Sequence, residues 1–466
     1  MTKQETVIQY ITDNYLNFNT LRHDVVSDKL QIRDEHSLES FRMVQNGVES
    51  SFQEQPLHHS TQPLNHSTPR LWREMTKHDI NSIVCHCAQE YNANITSREV
   101  MTALQSDLIP DVHPLREYIL SLHPYTSDQP DWIDLVASQV RVADSASDSE
   151  KSSNGSKSSK GESAVETYRT YRTPSTKADA LWRICFKKWF VAMVASWMKD
   201  EVVNHQVIVL IGRQGIYKTT WLEHLIPPHL RAYACKLANS NDLNKDERLR
   251  IAEFGLISLD EIDSMNNREL NQLKSVITAT DINERAAYAY TKERRMRLAS
   301  FCASGNRRDF LTDITGNRRW LPFEVESIQN PFYTTLPYDL IYAQAWTLAQ
   351  DPTFSYWFEL DEIDLLEQHN QHFRDESNEE QLLDVYFAVP SEGASNTKFL
   401  TTAEISERLI YYGNIKRPLS LSRLGVLLSQ KGFLSIRKGS PQRRGWVVYE
   451  RDNEEINAER RILSKT

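Results

Sequence analysis

The segment from Val207 to Glu223 constrains the fold of this chain more than any other stretch. It begins with five consecutive apolar residues, Val-Ile-Val-Leu-Ile, four of which are β-branched. Such a run is typical of a central parallel strand that is covered on both faces. Gly212 and Gly215 follow and allow a tight turn whose backbone N–H groups converge. A helix is expected to start at Lys218, so the pattern predicts an α/β protein.

The turn has the composition of a loop that cradles phosphate groups. In such loops a lysine, here Lys218, reaches the β- and γ-phosphates of ATP, and a hydroxyl, here Thr219, holds Mg²⁺. The consensus has glycine before the lysine, whereas this chain has Tyr217, and a bulky residue disfavours positive φ. A chance match of two glycines with Lys-Thr is the alternative. The predicted ATP-binding residues are Gly212, Arg213, Gln214, Gly215, Ile216, Tyr217, Lys218, Thr219 and Thr220.

A second apolar run ends in two carboxylates, as a metal-dependent nucleotide site requires. Leu256–Leu259 leads into Asp260 and Glu261. We expect Asp260 to support Mg²⁺ and Glu261 to act as the general base. The tetrapeptide Asp-Glu-Ile-Asp occurs again at 361–364, without a preceding β-branched strand. That second copy is predicted to be the solvated start of a helix.

Two further polar groups follow in chain order. Asn306 ends the apolar run that begins at Ser300 and would position a water molecule near the γ-phosphate; the alternative is an asparagine in a turn after a glycine. Arg318 and Arg319 follow a Gly-Asn turn. They are candidate arginine fingers supplied by a neighbouring subunit, although paired arginines are also common in surface loops.

The ordered set of motifs resembles the virulence-associated E family of ATPases, relatives of the superfamily 3 and poxvirus-type primase-helicases of phages and mobile elements. The resemblance extends from about residue 95 to 325 and is carried by His113–Leu122, Trp189–Ala195, Gly212–Thr220, Leu259–Asp263, Arg285–Tyr288, Ala299–Asn306 and Leu311–Trp320. It implies a P-loop NTPase core of the RecA-like or AAA+ type that assembles as a hexameric ring. Members of this group often lack the last glycine of the loop, as at Tyr217.

Composition agrees with an intracellular protein of several domains. The chain has 466 residues, enough for two or three domains, and five scattered cysteines, which favour a reducing cytoplasm over a disulfide framework. The first residues lack the apolar centre of a signal peptide, so we expect a cytoplasmic location and no membrane partner. Cys85-His86-Cys87 has no second Cys/His pair at ligand spacing, which argues against zinc. The tryptophan-rich helix 181–198 is predicted to pack in a core rather than to stack on bases.

The net charge of −9 is unevenly distributed. Nine basic and three acidic residues lie between Arg285 and Arg319. Residues 288–297 are predicted to form a hairpin that leads into the next strand. In ring helicases of this resemblance, that hairpin grips nucleic acid in the central channel. The predicted contacts are Lys292, Arg294, Arg295 and Arg297; a solvated charged hairpin is the alternative.

A second basic cluster, with nine basic residues and one acidic residue between Lys416 and Arg451, lies in a predicted winged-helix-like domain. The expected elements are helices at 402–411 and 419–430 and strands at 433–436 and 446–449. The loop between the strands forms the wing, with Arg437, Lys438, Arg443 and Arg444 as phosphate contacts. Winged helices also bind proteins, so DNA binding is one of two interpretations.

The remaining regions carry less information. Helices are predicted at 2–16, 76–92 and 96–105, and the serine-rich stretch 144–166 is predicted to be a flexible linker. The expected organisation is a mainly helical N-terminal region (1–143), a linker (144–175), the ATPase core (176–350), a helical connector (351–398) and the winged-helix-like domain (399–466). A strand-borne Asp-x-Asp pair of the kind a primase needs is absent from the sequence, so priming is assigned to a separate partner protein.

These observations predict an ATP-driven DNA helicase or translocase of a phage or mobile element, with single-stranded or duplex DNA as partner and hydrolysis at the subunit interfaces of a ring. Two alternatives stay open. One is a non-unwinding AAA+ switch that gates a partner interaction in regulation or host defence. The other is an initiator whose ring acts as a loader.

Overall fold

The chain divides into two compact units, residues 1–307 with 318–366 and residues 308–317 with 367–466. The computed structural model describes residues 2–33, 72–143, 176–237, 251–284, 293–311, 317–374, 378–391, 397–413, 420–438, 440 and 442–463. The predicted linker 144–166 lies outside these ranges.

The N-terminal part of the larger unit combines three helices with a small sheet. The helices are α1 (Lys3–Ile11), α2 (Lys77–Tyr91) and α3 (Ser97–Leu104). Each begins with a threonine whose side chain accepts the N–H of the third helical residue, while the acidic side chain of that residue caps the threonine N–H. These three capping signals explain why the sequence located the helices correctly.

The small sheet was not predicted. Its strands are β1 (Leu21–Asp24), β2 (Lys29–Arg33), β3 (Trp72–Glu74) and β4 (Asp111–Val112), in the order β3-β2-β1-β4. The pair β1–β4 is parallel and the other two pairs are antiparallel. The helices and strands share an apolar core that includes Val7, Ile83 and Val100. The predicted helical N-terminal region is therefore a mixed α/β region.

A six-stranded sheet forms the centre of the larger unit. Its strands are β5 (Val140–Val142), β6 (Val207–Ile211), β7 (Ala234–Leu237), β8 (Leu256–Leu259), β11 (Ser300–Gly305) and β12 (Trp320–Ile328). Their order is β5-β12-β6-β11-β8-β7, and only β5 is antiparallel to its neighbour. All five residues of β6 are buried, as expected for a central parallel strand. The α/β prediction is confirmed.

The larger unit also contains further helices. They are α4 (Pro114–Ser121), α5 (Trp132–Ala137), α6 (Lys177–Met198), α7 (Lys218–Glu223), α8 (Asn267–Thr278) and α9 (Tyr338–Gln350). Trp182, Trp189 and Trp197 of α6 are fully buried, and each indole N–H donates to a backbone carbonyl. The tryptophan-rich helix is a core helix, as predicted. Among the described residues, no helix combines the length and the apolar character needed to cross a bilayer.

A hairpin is present in this region, but its bounds differ from the predicted range 288–297. It consists of the antiparallel strands β9 (Asp281–Glu284) and β10 (Glu293–Met296), and β9 lies before the predicted range. Residues 285–292, including Lys292, lie outside the described ranges. The second Asp-Glu-Ile-Asp copy lies at the start of α10 (Leu360–Asn370), with Asp361 and Asp364 exposed, as predicted. Glu362 differs from the predicted solvated face, because its carboxylate lies 2.6 Å from Nζ of the mostly buried Lys188.

The smaller unit has its own core, which includes Leu383, Ile405, Leu428 and Val448. Its helices are α11 (Asn378–Tyr386), α12 (Thr402–Gly413), α13 (Leu421–Gln430) and α14 (Asn453–Leu463). Its strands are β13 (Phe387–Ala388), β14 (Thr397–Leu400), β15 (Leu434–Lys438) and β16 (Arg443–Glu450), and β16 pairs antiparallel with the other three. The two predicted helices and two predicted strands are confirmed; β13 and β14 were not predicted.

Candidate functional site

The loop between β6 and α7 lies at the carboxyl edge of the parallel strands. A Cβ atom on Gly212 would lie 2.8 Å from the carbonyl oxygen of Val325, so only glycine fits there. Gly215 has a φ of +85°, which disfavours other residues. Gly212 N–H donates to the carbonyl of Gly305 on the adjacent strand β11, at 3.1 Å. Gly212 therefore holds the loop close to its neighbouring strands, and Gly215 allows the loop to turn.

Tyr217 occupies the position at which the consensus has glycine. Its φ of 68° and ψ of 18° lie in the left-handed region. The tyrosine thus adopts the conformation that sequence reasoning considered unfavourable. Its hydroxyl accepts a hydrogen bond from Asn330 Nδ2 at 3.4 Å, and its ring meets the Phe332 ring edge-on, with centroids 6.4 Å apart. Contacts with the segment after β12 therefore accompany the strained backbone.

Lys218 turns back into the loop. Its Nζ donates to the carbonyls of Gly212 (2.6 Å) and Arg213 (2.7 Å), and it lies 3.3 Å from Oδ1 of Asn306. Burial lowers the pKa of Lys218, although the carboxylates of Asp263 and Asp260 act in the opposite direction. The structure therefore brings together two of the predicted site residues, Lys218 and Asn306.

Three oxygen-bearing side chains converge beside this lysine. Thr219 Oγ1 lies 3.1 Å from Asp260 Oδ1 and 2.9 Å from Ser304 Oγ, and Ser304 donates to the same Asp260 oxygen at 2.6 Å. Burial alone would raise the pKa of Asp260, but hydrogen bonds from Lys236 and Ser304 outweigh it and hold the pKa below its usual value. Hydroxyl and carboxylate oxygens are the ligands that Mg²⁺ prefers, so this set fits the expected metal.

The predicted general base, Glu261, begins the turn after β8. Its φ is 52°, again left-handed, and its side chain is exposed. Strand β11 separates β8 from β6, and Asn306 directly follows β11. The order of strands therefore places Asn306 between the loop that holds Lys218 and the turn that holds Glu261.

Asp263 was not assigned a role from the sequence, yet it contacts the predicted water-positioning residue. Its Oδ1 accepts the backbone N–H of Asn306 at 3.1 Å, and its Oδ2 accepts that of Arg307 at 3.2 Å. Arg307 in turn donates to the Asp263 carbonyl at 2.7 Å. These bonds join the turn after β8 to the turn after β11.

Ser304 and Lys236 are the other functional candidates that sequence reasoning missed. A serine or a lysine within a short strand carries no distinctive spacing. The available signal was that Ser304 precedes Gly305-Asn306 in a strand parallel to β6, which places it at the same edge of the sheet as Thr219. For Lys236 the chain gave no comparable indication.

Arg318 and Arg319 lie away from the loop of their own chain. They immediately precede β12, whose first residue, Trp320, pairs with Val207 at the start of β6. The two arginines are therefore at the amino edge of the parallel strands, opposite the carboxyl edge that carries Lys218. Arg318 is exposed. Burial lowers the pKa of Arg319, and the adjacent charge of Arg318 adds to this effect.

The predicted nucleic-acid contacts of the hairpin need a correction. Arg297 is only 2 % exposed, and its guanidinium donates to the carbonyls of Ala279, Ala299 and Asn204 at 2.9, 2.7 and 2.7 Å. It is a buried structural residue and is not available to bind DNA. Arg295 is paired with Asp28 at 2.7 Å. Arg294 lies within β10, and Lys292 lies outside the described residues, so these two predictions stand as they were.

The basic residues of the smaller unit lie together at the end of a two-stranded ribbon. Arg437 pairs with Arg444, and Lys438 pairs with Arg443, across β15 and β16. All four side chains are exposed. Like charges directly opposite one another repel, so this arrangement is unfavourable unless an anion compensates it.

Comparison with known proteins gives a family-model match over the part of the chain that contains most of this site. The family model described as "Virulence-associated protein E-like domain" matches residues 157–375. A search of curated proteins gives no significant match.

Similar solved structures are those of the NrS-1 C-terminal region. The apo structure of region 305-718 is 10 % identical with a TM-score of 0.39 and covers 96 % of this chain and 100 % of that chain. An A form apo structure of the same region is 9 % identical with a TM-score of 0.43, covering 95 % and 100 %. This match agrees with the resemblance that the motifs indicated: residues 157–375 are similar to the virulence-associated protein E-like domain.

Proposed function

We propose that this chain is an ATP-hydrolysing DNA helicase or translocase that acts in the cytoplasm in the replication of a phage or mobile element. The observation that carries the proposal is the convergence of Lys218, Thr219 and Asp260 around one glycine-containing loop. The loop lies at the carboxyl edge of a parallel sheet, where α/β proteins bind their ligands. The α/β core is assigned to the P-loop NTPases of the RecA-like or AAA+ type.

The proposed chemistry assigns a separate task to each side chain. Lys218 would exchange the carbonyls of Gly212 and Arg213 for the β- and γ-phosphates of ATP, because a charged phosphate oxygen is a stronger acceptor than a neutral carbonyl. Thr219 and Asp260 would hold Mg²⁺, which neutralises phosphate charge when bound. Glu261 would take a proton from the attacking water, and Asn306 would orient that water.

The arginines suggest that hydrolysis occurs between subunits. Arg318 and Arg319 lie at the opposite edge of the sheet from Lys218, so they are poorly placed to act on a nucleotide in their own chain. A ring, proposed to be hexameric, would bring them to the nucleotide of a neighbour. A mixture of an Arg318→Ala/Arg319→Ala chain with a Lys218→Ala chain should then recover part of the lost activity. A protein that is active as a strict monomer would rule the ring out.

DNA contact is assigned to two basic groups. Lys292 and Arg294 of the hairpin would contact single-stranded DNA. The exposed ribbon residues Arg437, Lys438, Arg443 and Arg444 would contact phosphates of duplex DNA, as the wing of a winged-helix-like domain does.

One observation favours a second candidate function, a non-unwinding AAA+ switch. Two of the four hairpin cations, Arg295 and Arg297, have structural partners, and the partner of Arg295 is Asp28, in the turn between β1 and β2 of the N-terminal sheet. Through this ion pair the hairpin could transmit nucleotide-driven movement to a partner protein instead of to DNA.

The central test measures ATP hydrolysis with and without single-stranded DNA, followed by unwinding of forked duplexes. Lys218→Ala should abolish nucleotide binding or turnover. Glu261→Gln should retain ATP binding and stop hydrolysis, because an amide keeps the shape of the side chain but cannot accept the proton. Asp361→Asn, at an exposed position of the second Asp-Glu-Ile-Asp copy, is the control and should behave as wild type. DNA-independent hydrolysis without unwinding would favour the switch.

A further inference from the structure

A cluster of aromatic rings borders the loop that holds Lys218. Tyr217 is 38 % exposed, and Phe332, which follows β12, is 69 % exposed. The Phe332 ring also meets His224, at the end of α7, edge-on at 5.6 Å. Because β6 and β12 are parallel, the segment after β12 emerges at the same edge of the sheet as the loop. Exposed aromatic faces thus lie directly beside the proposed phosphate site.

The segment that carries Phe332 is held in place by Asn330. Asn330 Oδ1 accepts the N–H of Phe332 at 3.0 Å, and its carbonyl accepts the N–H of Tyr333 at 3.1 Å. Its Nδ2 donates to the Tyr217 hydroxyl. Asn330 therefore both shapes the turn and links it to Tyr217. The two exposed rings are held together by these hydrogen bonds.

The backbone of Tyr217 gives the second argument. Left-handed φ is unfavourable for a residue with a large side chain, and such strain is found where a ligand or a switch needs it. Burial of the ring does not account for the strain, because more than a third of the residue is exposed. Glycine would adopt this backbone conformation without strain. The presence of tyrosine is therefore explained by its phenol ring and not by the backbone.

We propose that Tyr217 and Phe332 form the subsite for the base of the bound nucleoside triphosphate. Because the two rings are nearly perpendicular, the base stacks on the face of one ring and meets the other at its edge. This inference rests on the proposed function, because it places the triphosphate in the loop beside Lys218. Aromatic side chains stack on any nucleobase, and the position of Tyr217 next to the lysine places the ring within reach of the nucleoside end of the same molecule. The subsite therefore selects nucleotides over inorganic polyphosphate.

The test compares binding of ATP with binding of inorganic triphosphate, both with Mg²⁺, by calorimetry on the full chain. Tyr217→Gly restores the consensus residue and relieves the strain, so the protein should melt at the same temperature or higher. It should bind ATP about tenfold more weakly, with little change for inorganic triphosphate. Phe332→Ala should shift the ATP affinity in the same direction. Tyr411→Ala, an exposed tyrosine of the smaller unit, is the control for both ligands.

The outcomes separate the subsite from the proposed function. If wild type binds neither ligand, the nucleotide site itself is wrong and the subsite fails with it. If wild type binds ATP but Tyr217→Gly keeps the full preference for ATP over inorganic triphosphate, only the subsite is overturned. An equal loss for both ligands would assign Tyr217 to the shape of the loop and would also overturn base stacking. Reduced self-association with unchanged ligand preference would make the cluster a subunit contact instead.

Discussion

Lys236 Nζ lies 2.7 Å from Oδ2 of Asp260, the carboxylate proposed to support Mg²⁺. Lys236 is on the edge strand β7, in register with Ser258 of β8, and its side chain is 46 % exposed. The hydrogen bond to Asp260 is the main reason that the pKa of Lys236 is raised. The ammonium group of Lys236 thus neutralises the carboxylate that the metal would use.

We expect Lys236→Met to increase the apparent affinity for Mg²⁺, because Asp260 loses a competing cation. The effect should be about two- to fivefold, since partly exposed ion pairs contribute only about 0.2–1 kcal/mol. A Mg²⁺ titration of ATP turnover at saturating ATP measures it. Lys236→Arg keeps the charge and should behave as wild type. An unchanged or weaker response to Mg²⁺ in Lys236→Met would show that the lysine does not compete with the metal.

Asp263 provides a test of the proposed role of Asn306. Asp263→Ala removes the acceptors of the Asn306 and Arg307 N–H groups. Turnover should fall by about ten- to a hundredfold, because small misplacement of a positioning group is costly, while the ATP affinity should change much less. Asp263→Asn keeps one acceptor and should recover part of the activity.

The chain supplies the matched control for this experiment. Asp364 occupies the same place in the second Asp-Glu-Ile-Asp copy and is exposed at the start of α10. Asp364→Ala should leave turnover unchanged. Equal losses in ATP affinity and turnover for Asp263→Ala would indicate general damage to the loop and would contradict a positioning role.

The sequence predicted those parts of the fold whose signals are local. Strand β6 is a run of β-branched residues, and the N-terminal helices begin with capping boxes, so each could be located from its own residues. The small sheet formed by β1 to β4 could not be found in this way. Its strands are short and partly polar. Although β1 and β2 are neighbours in the chain, β3 and β4 join them from distant segments, as when His23 pairs with Asp111.

The sequence predicted those site residues that belong to recognisable motifs. Lys218, Thr219, Asp260 and Asn306 meet as their spacing suggested. Arg297 was misassigned because charge in a sequence does not reveal burial. The local sequence does not distinguish a buried arginine that donates to three carbonyls from an exposed arginine that contacts DNA. Only the tertiary structure does so.

Arg297→Met should therefore destabilise the protein instead of weakening DNA binding selectively. Three buried carbonyls would lose their donor, and each unsatisfied group costs about 1–3 kcal/mol, so we expect a loss of about 3 kcal/mol or more. Denaturant unfolding followed by tryptophan fluorescence measures the change. Arg98→Met, at an exposed position of α3, is the control. A stable Arg297→Met protein with impaired DNA binding would show that Arg297 contacts DNA and is not a structural residue.

His113 predicts a pH dependence of stability. Burial is the main reason that its pKa is lowered to about 4, and the charge of Arg116 adds to it. Between pH 6.5 and about 4 the unfolded chain binds a proton that the folded chain does not, so stability decreases as the pH falls through this window. The slope for this one group is at most about 1.4 kcal/mol per pH unit.

His113→Gln should reduce this acid sensitivity. Denaturant unfolding of wild type and variant at pH 7, 6, 5 and 4.5 should show curves that converge towards low pH. His78→Gln, at an exposed position of α2, should retain the wild-type slope. An identical pH slope in wild type and His113→Gln would show that His113 is protonated equally in both states.

The last prediction separates the two kinds of basic residue in the hairpin. Arg295 is paired with Asp28, and its other guanidinium nitrogen lies 4.0 Å from Glu253, so its charge is already compensated. Arg295→Ala and Asp28→Ala should each lower stability, and the double variant should show that the two losses are coupled. Neither change should alter the salt dependence of single-stranded DNA binding.

Lys292→Ala combined with Arg294→Ala should behave differently. If both residues contact phosphates, single-strand affinity should fall and the salt slope should decrease by about 1.4, because each contact to a single strand contributes about 0.7. Unwinding should be lost, while hydrolysis without DNA should survive, since neither residue is assigned to the nucleotide. A smaller salt slope in Arg295→Ala would mean that its ion pair opens on DNA. Intact DNA binding and unwinding in the Lys292/Arg294 variant would remove the main support for a translocating ring. The partner switch would then explain why the hairpin contacts the N-terminal region through the Arg295–Asp28 ion pair.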